Sequence, residues 1–211
     1  RTPLAAMRLS TETLKKRELT KEQTERVLSA NMEEIDRLTG LLDKVFVTTK
    51  LDQGSYTLDF ASIDLSNLIS GLASRFQEIK QVKLLTDIEE DIRVFSDSQV
   101  LEIVVMNLLD NAVKYGMDKD VTVHLCQQGN NGILKVIDQG LGIPDAEKKE
   151  VFQRFYRLED EEYKGIEGTG LGLFIVKELL TKIDSTISIA NNSPSGSVIT
   201  VKVQCLEERS K

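Results

Sequence analysis

Histidine and cysteine are almost absent: 211 residues include one His and two Cys. Cys126 and Cys205 lie far apart in strand-like sequence, with no CxxC pair and no histidine at ligand spacing. That argues against a metal site and against a disulfide framework, and it fits a reducing cytoplasm. His124 stands in the alternating run VTVHLC, where Val121, Val123 and Leu125 share one face. It is expected on the solvent face of a strand, since nothing flanking it supplies an acid, base or ligand partner. A basic tract is lacking too. Acidic residues outnumber basic ones 34 to 27, for a net charge of −7, so no nucleic-acid surface is expected. No uninterrupted apolar run reaches bilayer length, so no direct membrane contact by this segment is expected. Nor is there an initiator Met or a signal or transit segment. What is present is a 40% hydrophobic content, enough for one ordinary domain core plus a smaller element.

The hydrophobic pattern changes period along the chain. Leu4, Met7, Thr11 and Leu14 alternate steps of three and four, with a proline in the first turn. Leu28, Asn31, Ile35, Leu38, Leu42, Val45 and Thr49 continue that alternation, widened by Met32, Thr39 and Phe46. Two helices are predicted, joined through KRELTKEQ with Thr20 as N-cap, forming an antiparallel hairpin. A hairpin alone buries little, so its seam is expected to pair with a second copy in a dimeric four-helix bundle, the alternative being a fold back onto the rest of the chain. After KLDQGS the texture becomes short alternating runs between helices. This is an α+β or α/β pattern, taken as α+β, and it places a boundary near residue 55, between a hairpin domain at 1–54 and a second domain at 55–211. Strands are predicted near 57–60, 82–88, 92–95, 121–127, 132–138, 186–190 and 197–205, and helices near 64–79, 97–115 and 170–183. NNSPSGS is a turn-forming cluster between the last two strands, so part of the sheet is antiparallel.

Three stretches carry residue types suited to chemistry. In the helix near 97–115, Val100, Leu101, Val104, Val105, Leu108 and Ala112 form a buried stripe, while Asn107, Asn111 and Lys114 recur on another face. Asparagine competes with its own helix for backbone hydrogen bonds, so two placed one turn apart cost helix propensity. Their amide oxygens are neutral hard ligands, suited to a Mg²⁺ whose charge is balanced mostly by substrate phosphates; the alternative is two solvated polar residues. In VIDQGLGIP, an apolar strand ends in Asp138, and Gly140 and Gly142 follow where the backbone can turn beside a ligand, although ordinary turns share the pattern. In GIEGTGLGLFIVKELL, Gly168, Gly170 and Gly172 directly precede an apolar-periodic helix, a composition that frees successive N–H groups for an anion at a helix N-terminus. It lacks the preceding strand of a dinucleotide fingerprint and the G-K-[ST] of a P-loop. Between the last two lies VFQRFYRLEDEEYKG, where Phe152 and Phe155 would anchor a charged, Gly-bounded mobile lid at 157–168. Arg157 and Lys164 would ride over bound phosphates, or each would be a solvated surface charge.

In this order, NLLDNAVKY, DQGLG, FQRFYR and GTGLGL resemble the N, G1, F and G2 boxes of the sensor histidine kinases of two-component systems, whose catalytic domain is a Bergerat-type α/β-sandwich ATPase. The opening RTPL resembles the end of that family's H box, which would put the phospho-accepting histidine three positions before Arg1. The resemblance implies the following roles. Asn111 would be the Mg²⁺ ligand, with Asn107 assisting at the metal or phosphates. Lys114 would contact phosphate, and Tyr115 would lie against the nucleotide. Asp138 would read the exocyclic amine of adenine, with Gly140, Gly142 and Ile143 passing the base. Arg157, Gly168, Gly170 and Gly172 would bind the phosphates, Lys164, Thr169 and Leu171 would also belong to the ATP site, and Thr2 would position water for dephosphorylation of a partner. Asn107 stands where the hydrolytic ATPases of the same fold carry a glutamate base, which favours delivery of the γ-phosphoryl to an imidazole over its hydrolysis. The implied partners are a second copy of the chain and a response-regulator receiver domain, and the implied setting is the cytoplasmic side of a membrane-anchored bacterial sensor. A hydrolytic ATPase or a nucleotide-gated scaffold without activity remain the alternatives. KIDSTISI departs from relatives that carry a histidine and glycines there, which touches only the local turn.

Overall fold

The structure is a computed structural model; it describes all residues except 1, 17, 18, 159–162, 164, 165, 167 and 207–211, and the side chains of Thr2, Pro3 and Ala6 also lie outside the description. The chain divides into two compact units, Arg1–Tyr56 and Thr57–Lys211.

The first unit consists of helices α1 (Thr2–Lys16) and α2 (Lys21–Asp52), which pack on each other. Thr20 starts α2 as predicted. Its hydroxyl accepts from Gln23 N at 3.2 Å while the Gln23 side chain accepts from Thr20 N at 3.0 Å, a reciprocal capping box. The apolar stripe of α2 is divided. Asn31 and Leu38 are half-buried in the single chain, whereas Leu28, Met32, Ile35, Leu42, Val45 and Phe46 remain exposed.

The second unit is a two-layer sandwich. Its order is β1 (Phe60–Asp64), α3 (Leu65–Lys80), β2 (Leu84–Ile88), β3 (Arg93–Asp97), α4 (Ser98–Tyr115), β4 (Val121–Gln128), β5 (Asn131–Ile137), α5 (Gly172–Lys182), β6 (Thr186–Asn191) and β7 (Ser197–Gln204), with short 3-10 turns at Asp145–Glu147 and Glu150–Phe152. Five strands run in the order β2-β4-β5-β7-β6, with β2 and β4 parallel and the other pairs antiparallel, and β1 pairs separately with β3. Helices α3, α4 and α5 cover one face of the large sheet. Alternation in the strands decides the rest: Val121, Val123, Leu125, Leu134, Val136, Ile199, Val201 and Val203 turn inward onto Phe76, Leu108, Leu109, Ile175, Leu179 and Leu180. His124 faces the other way, as expected, but it has a neighbour that the flanking sequence did not reveal. Strand β2 sets Asp87 directly beside it, with Oδ2 2.8 Å from His124 Nδ1.

One element is displaced from its predicted position. The first strand, expected at 57–60, runs from Phe60 to Asp64 because its ladder with β3 pairs Phe60 with Asp97 and Asp64 with Arg93. Its last residue then caps α3, Asp64 Oδ1 accepting from Asn67 N at 2.9 Å. Asp97 does the same for α4 and is buried. Oδ1 accepts from Gln99 N and Val100 N at 2.8 and 3.0 Å, and Oδ2 from Asp59 N at 2.7 Å. Asp97→Ala strands three backbone donors at once. The expected cost is about 2–4 kcal/mol, read as a lower urea midpoint at unchanged m-value.

Candidate functional site

Helix α4 is amphipathic in an unusual sense. Val100, Leu101, Val104, Val105, Leu108, Leu109 and Ala112 are buried, and the flank of this stripe carries half-buried Asn107 and Asn111 rather than apolar residues. The Asn107 amide is oriented by its own helix: Nδ2 donates to Ile103 O at 2.8 Å. Its Oδ1 is turned to the first residue of α5, lying 3.2 Å from where a Cβ on Gly172 would stand, with the Asn111 amide atoms 3.7 and 3.8 Å from the same point. Gly172 therefore lets the start of α5 approach both amides, and a methyl group there would press on Asn107.

No side chain caps α5. The first N–H groups of the helix and the positive end of its dipole are directed to the region that the two amide oxygens border. The residues leading into α5 are held from outside. Phe155 N donates to Gly170 O at 3.0 Å, and Gly170, at φ +68°, leaves so little room that a Cβ would lie 2.5 Å from the Phe155 carbonyl carbon. Thr169 Oγ1 accepts from Leu171 N at 3.3 Å, and the Leu171 side chain is buried in the core, so Leu171 anchors the loop and its N–H is already taken.

Asp138 directly follows β5. It is 6% exposed, and its Oδ1 accepts from Gly140 N at 2.9 Å and Ser197 N at 3.2 Å. Burial holds its carboxyl above the usual carboxylate range, against the opposing pull of the Gly140 and Ser197 hydrogen bonds. Gly140 and Gly142 make room for protein backbone. A Cβ on Gly140 would fall 1.7 Å from Tyr115 O, and one on Gly142, at φ +78°, would fall 2.9 Å from Gly196 O. Sequence reasoning gave these glycines to a ligand; their missing side chains are first required by the packing of the Asp138 loop on the end of α4 and on the β6–β7 turn. Ile143 is half-buried in the same loop.

Tyr115, at the end of α4, joins the segments. Its hydroxyl lies 3.7 Å from the Cβ position of Gly168, and its ring stands 6.4 Å from that of Tyr163 at a tilt of 58°. Tyr163 is buried and its hydroxyl donates to Gly142 O at 3.1 Å. Sequence reasoning missed Tyr163, because a tyrosine in a charged run carries no local sign of burial. It also read NNSPSGS as a turn and nothing more, whereas Asn192, Gly196 and Ser197 all touch Asp138.

Other predicted residues stand differently. Lys114 Nζ pairs with Asp110 Oδ2 at 2.7 Å, and Lys80 approaches the same carboxylate at 3.7 Å, so the amine rests on a carboxylate of its own helix. Arg157 Nη2 donates to Ile166 O at 2.6 Å. Phe155 was expected as an apolar anchor and is 70% exposed; its backbone docks on Gly170, and the side chains that bury are Val151 and Tyr163. Phe152 is half-buried, with the Lys177 ammonium over its ring at 5.4 Å. The expected mobile lid falls largely on residues outside the described ones, as does Lys164, and so does the side chain of Thr2.

The assembly is two amides, that of Asn107 oriented by its own helix, at an uncapped helix start, with a buried carboxylate at a strand end and glycine loops pressed between them. Residues 96–207 match the family described as histidine kinase-, DNA gyrase B- and HSP90-like ATPase. The chain belongs to that family. Residues 1–54 match the His Kinase A (phospho-acceptor) domain, so the chain combines the phosphoacceptor and ATP-binding domains of a sensor histidine kinase. It is similar to the sensor-like histidine kinase SenX3 of Mycolicibacterium smegmatis, with 27% identity over 96% of this chain and 54% of that protein. The chain thus spans about half the length of this relative. Among solved structures, the fold resembles histidine kinase AdeS of Acinetobacter baumannii, at TM-score 0.72 and 22% identity over 97% of this chain and 95% of that one. It also resembles the mycobacterial sensor histidine kinase MprB, at TM-score 0.61 and 28% identity over 70% of this chain and 98% of that one. Among the described residues, no histidine kinase helix is long and apolar enough here to cross a membrane.

Proposed function

We propose that this chain is the core of an ATP-dependent protein-histidine kinase that passes the γ-phosphoryl of ATP to a histidine and from there to an aspartate on a receiver domain. The observation that carries the reading is the convergence of Asn107 Oδ1 and the Asn111 amide on the uncapped start of α5. Anionic phosphate fits a helix N-terminus, and a Mg²⁺ accompanying it fits neutral amide oxygens. The donor set supports an ion that arrives with the nucleotide: among the described residues no group of three or more His, Cys, Asp or Glu could hold one.

When bound, Mg²⁺ would neutralise charge on the triphosphate, with Asn111 as its protein ligand and Asn107 beside it. The chain's own residues do the remaining work. The α5 start and Gly168–Gly172 loop orient the phosphates, and Asp138 accepts from the base amine. Tyr115 lies against the nucleotide, and Arg157 and Lys164 assist at the phosphates once their segment closes on it. Asn107 is an amide and cannot take a proton from water, so the site favours a nucleophile that needs positioning more than deprotonation, which a neutral imidazole is. In the family pattern that imidazole stands just ahead of the RTPL segment and is carried by the hairpin, and Thr2 would position water for dephosphorylation of the receiver domain.

The exposed Leu28, Met32, Ile35, Leu42, Val45 and Phe46 support a homodimeric four-helix bundle, since a monomer leaves this stripe in water. Leu42→Glu is expected to shift the chain from dimer to monomer in light scattering at micromolar concentration. With γ-labelled Mg-ATP, residues 1–211 are expected to acquire no acid-labile label, and a chain preceded by the family's His-Glu dipeptide plus one residue is expected to be labelled. Acid-labile label mapping to His124 instead would overturn the assignment.

A further inference from the structure

The turn between β6 and β7 is built onto the backbone of Asp138 from several sides. Asn192 Nδ2 donates to Asp138 O at 2.8 Å, and Asp138 N donates to Ser197 O at 3.0 Å. Gly196, at φ +108°, is so close that a Cβ would lie 2.1 Å from Asp138 O. Ser195 Oγ donates to Gln139 O at 3.2 Å. The turn itself is closed by Asn192 N to Gly196 O at 2.9 Å, and Asn192 Oδ1 accepts from Ser193 N at 2.9 Å. One side chain thus has two jobs: its oxygen shapes the turn, and its amide N–H group pins the residue that carries the carboxylate.

We propose that Asn192 is a positioning residue that sets purine specificity: by holding the Asp138 carbonyl it fixes the direction in which the Asp138 carboxylate meets the base. The proposal rests on the reading that Asp138 faces adenine. A hydrogen bond to a rigid backbone carbonyl transmits direction well, because the carbonyl and the Cα–Cβ bond of one residue move together. Shifting that bond by a few tenths of an ångström lengthens a carboxylate–amine hydrogen bond and leaves contacts to the phosphates alone. Affinity for ATP and affinity for GTP should therefore respond differently.

Asn192→Asp separates the two jobs, since a carboxylate keeps the acceptor for Ser193 N and deletes the donor to Asp138 O. Calorimetry on the full chain with Mg-ATP and Mg-GTP is expected to show ATP affinity reduced roughly three- to tenfold, the loss of one hydrogen bond's worth of alignment, with GTP affinity unchanged. Ser195→Ala, which removes the weaker brace on Gln139, should reduce ATP affinity about twofold by the same route, and it supplies the test if Asn192→Asp does not fold. Unchanged ATP affinity in a folded variant, or equal losses for both nucleotides, would overturn the proposal, the second outcome marking Asn192 as merely structural. Asp138→Ala measured alongside separates the layers: if it abolishes the preference for ATP while Asn192→Asp and Ser195→Ala leave it intact, the bracing role alone fails. If Asp138→Ala leaves the preference intact, the base assignment fails and the bracing role falls with it.

Discussion

Replacing Asp138 by Asn should reverse the purine preference of the site. The carboxamide keeps Oδ1 as acceptor for Gly140 N and Ser197 N, the two bonds that seat the side chain, so the loop is retained. What changes is the other terminal atom, from an acceptor that suits the amine of adenine to an NH₂ donor that opposes it and suits the carbonyl of guanine. A site built around one hydrogen-bond pattern discriminates strongly against the other because the mismatch leaves buried groups unpaired. ATP affinity is expected to fall by roughly one to two orders of magnitude while GTP affinity rises, measured by calorimetry with each Mg-nucleotide. Retained ATP preference would show that another residue reads the base. The pH dependence has a definite sign. Burial raises the carboxyl pKa of Asp138, and only the ionised form accepts without donating. Wild-type affinity for ATP should therefore decline on acidification at a higher pH than an ordinary carboxylate would give, and the Asn variant should lack that step. Stability runs the opposite way. A group whose pKa is raised on folding contributes most below its unfolded value and loses that contribution as pH rises through the folded value. At neutral pH the buried charge therefore costs the unliganded fold some stability, and Asp138→Asn should melt no lower than wild type.

Asn111→Asp should abolish use of Mg-ATP in a protein that stays folded. The substitution places a full negative charge beside the triphosphate, where at an effective dielectric near 20 like charges about 4 Å apart repel by about 4 kcal/mol. In the chain preceded by the His-Glu dipeptide plus one residue, phosphotransfer from γ-labelled ATP is expected to drop by roughly 10²-fold or more. Unfolding is not the cause expected. Asn111 flanks the buried stripe of α4 without belonging to it, and it faces the start of α5, where an added anion is favourable in the absence of nucleotide. A melting temperature at or slightly above that of wild type, combined with lost phosphotransfer, is the pattern that marks a site residue. Wild-type nucleotide affinity and wild-type labelling would remove Asn111 from the metal.

Element identity was legible in the sequence because period is a local property. Steps of three and four marked the helical unit, and alternation placed Val121, Val123 and Leu125 inside and His124 outside before any neighbour was known. Thr20 could be read as a cap because its partner, Gln23, is three residues away. The amides of Asn107 and Asn111 stood out because nothing local rewards them in a helix. Their geometry was another matter: that Oδ1 of Asn107 faces Gly172 follows from the packing of α4 against α5, across a segment that the helix pattern does not encode.

The same division explains what a single window did not show. The first strand lies at Phe60–Asp64 since its bounds come from a ladder with β3, a partner thirty-odd residues away by register and invisible in a single window. The resemblance gave Lys114 to phosphate; the amine's resting place beside Asp110, which Lys80 from α3 also approaches, is a tertiary matter that no single window shows. Gly140 was read as passing a ligand and Gly196 as part of a turn; the structure also requires them beside the carbonyl of Tyr115 in one case and of Asp138 in the other, contacts made only when distant loops close together. The sequence by itself determined which residue types are available for the chemistry and which face each occupies. Tertiary structure alone decided their directions, because a side chain's orientation is set by the groups packed around it, and those come from other elements.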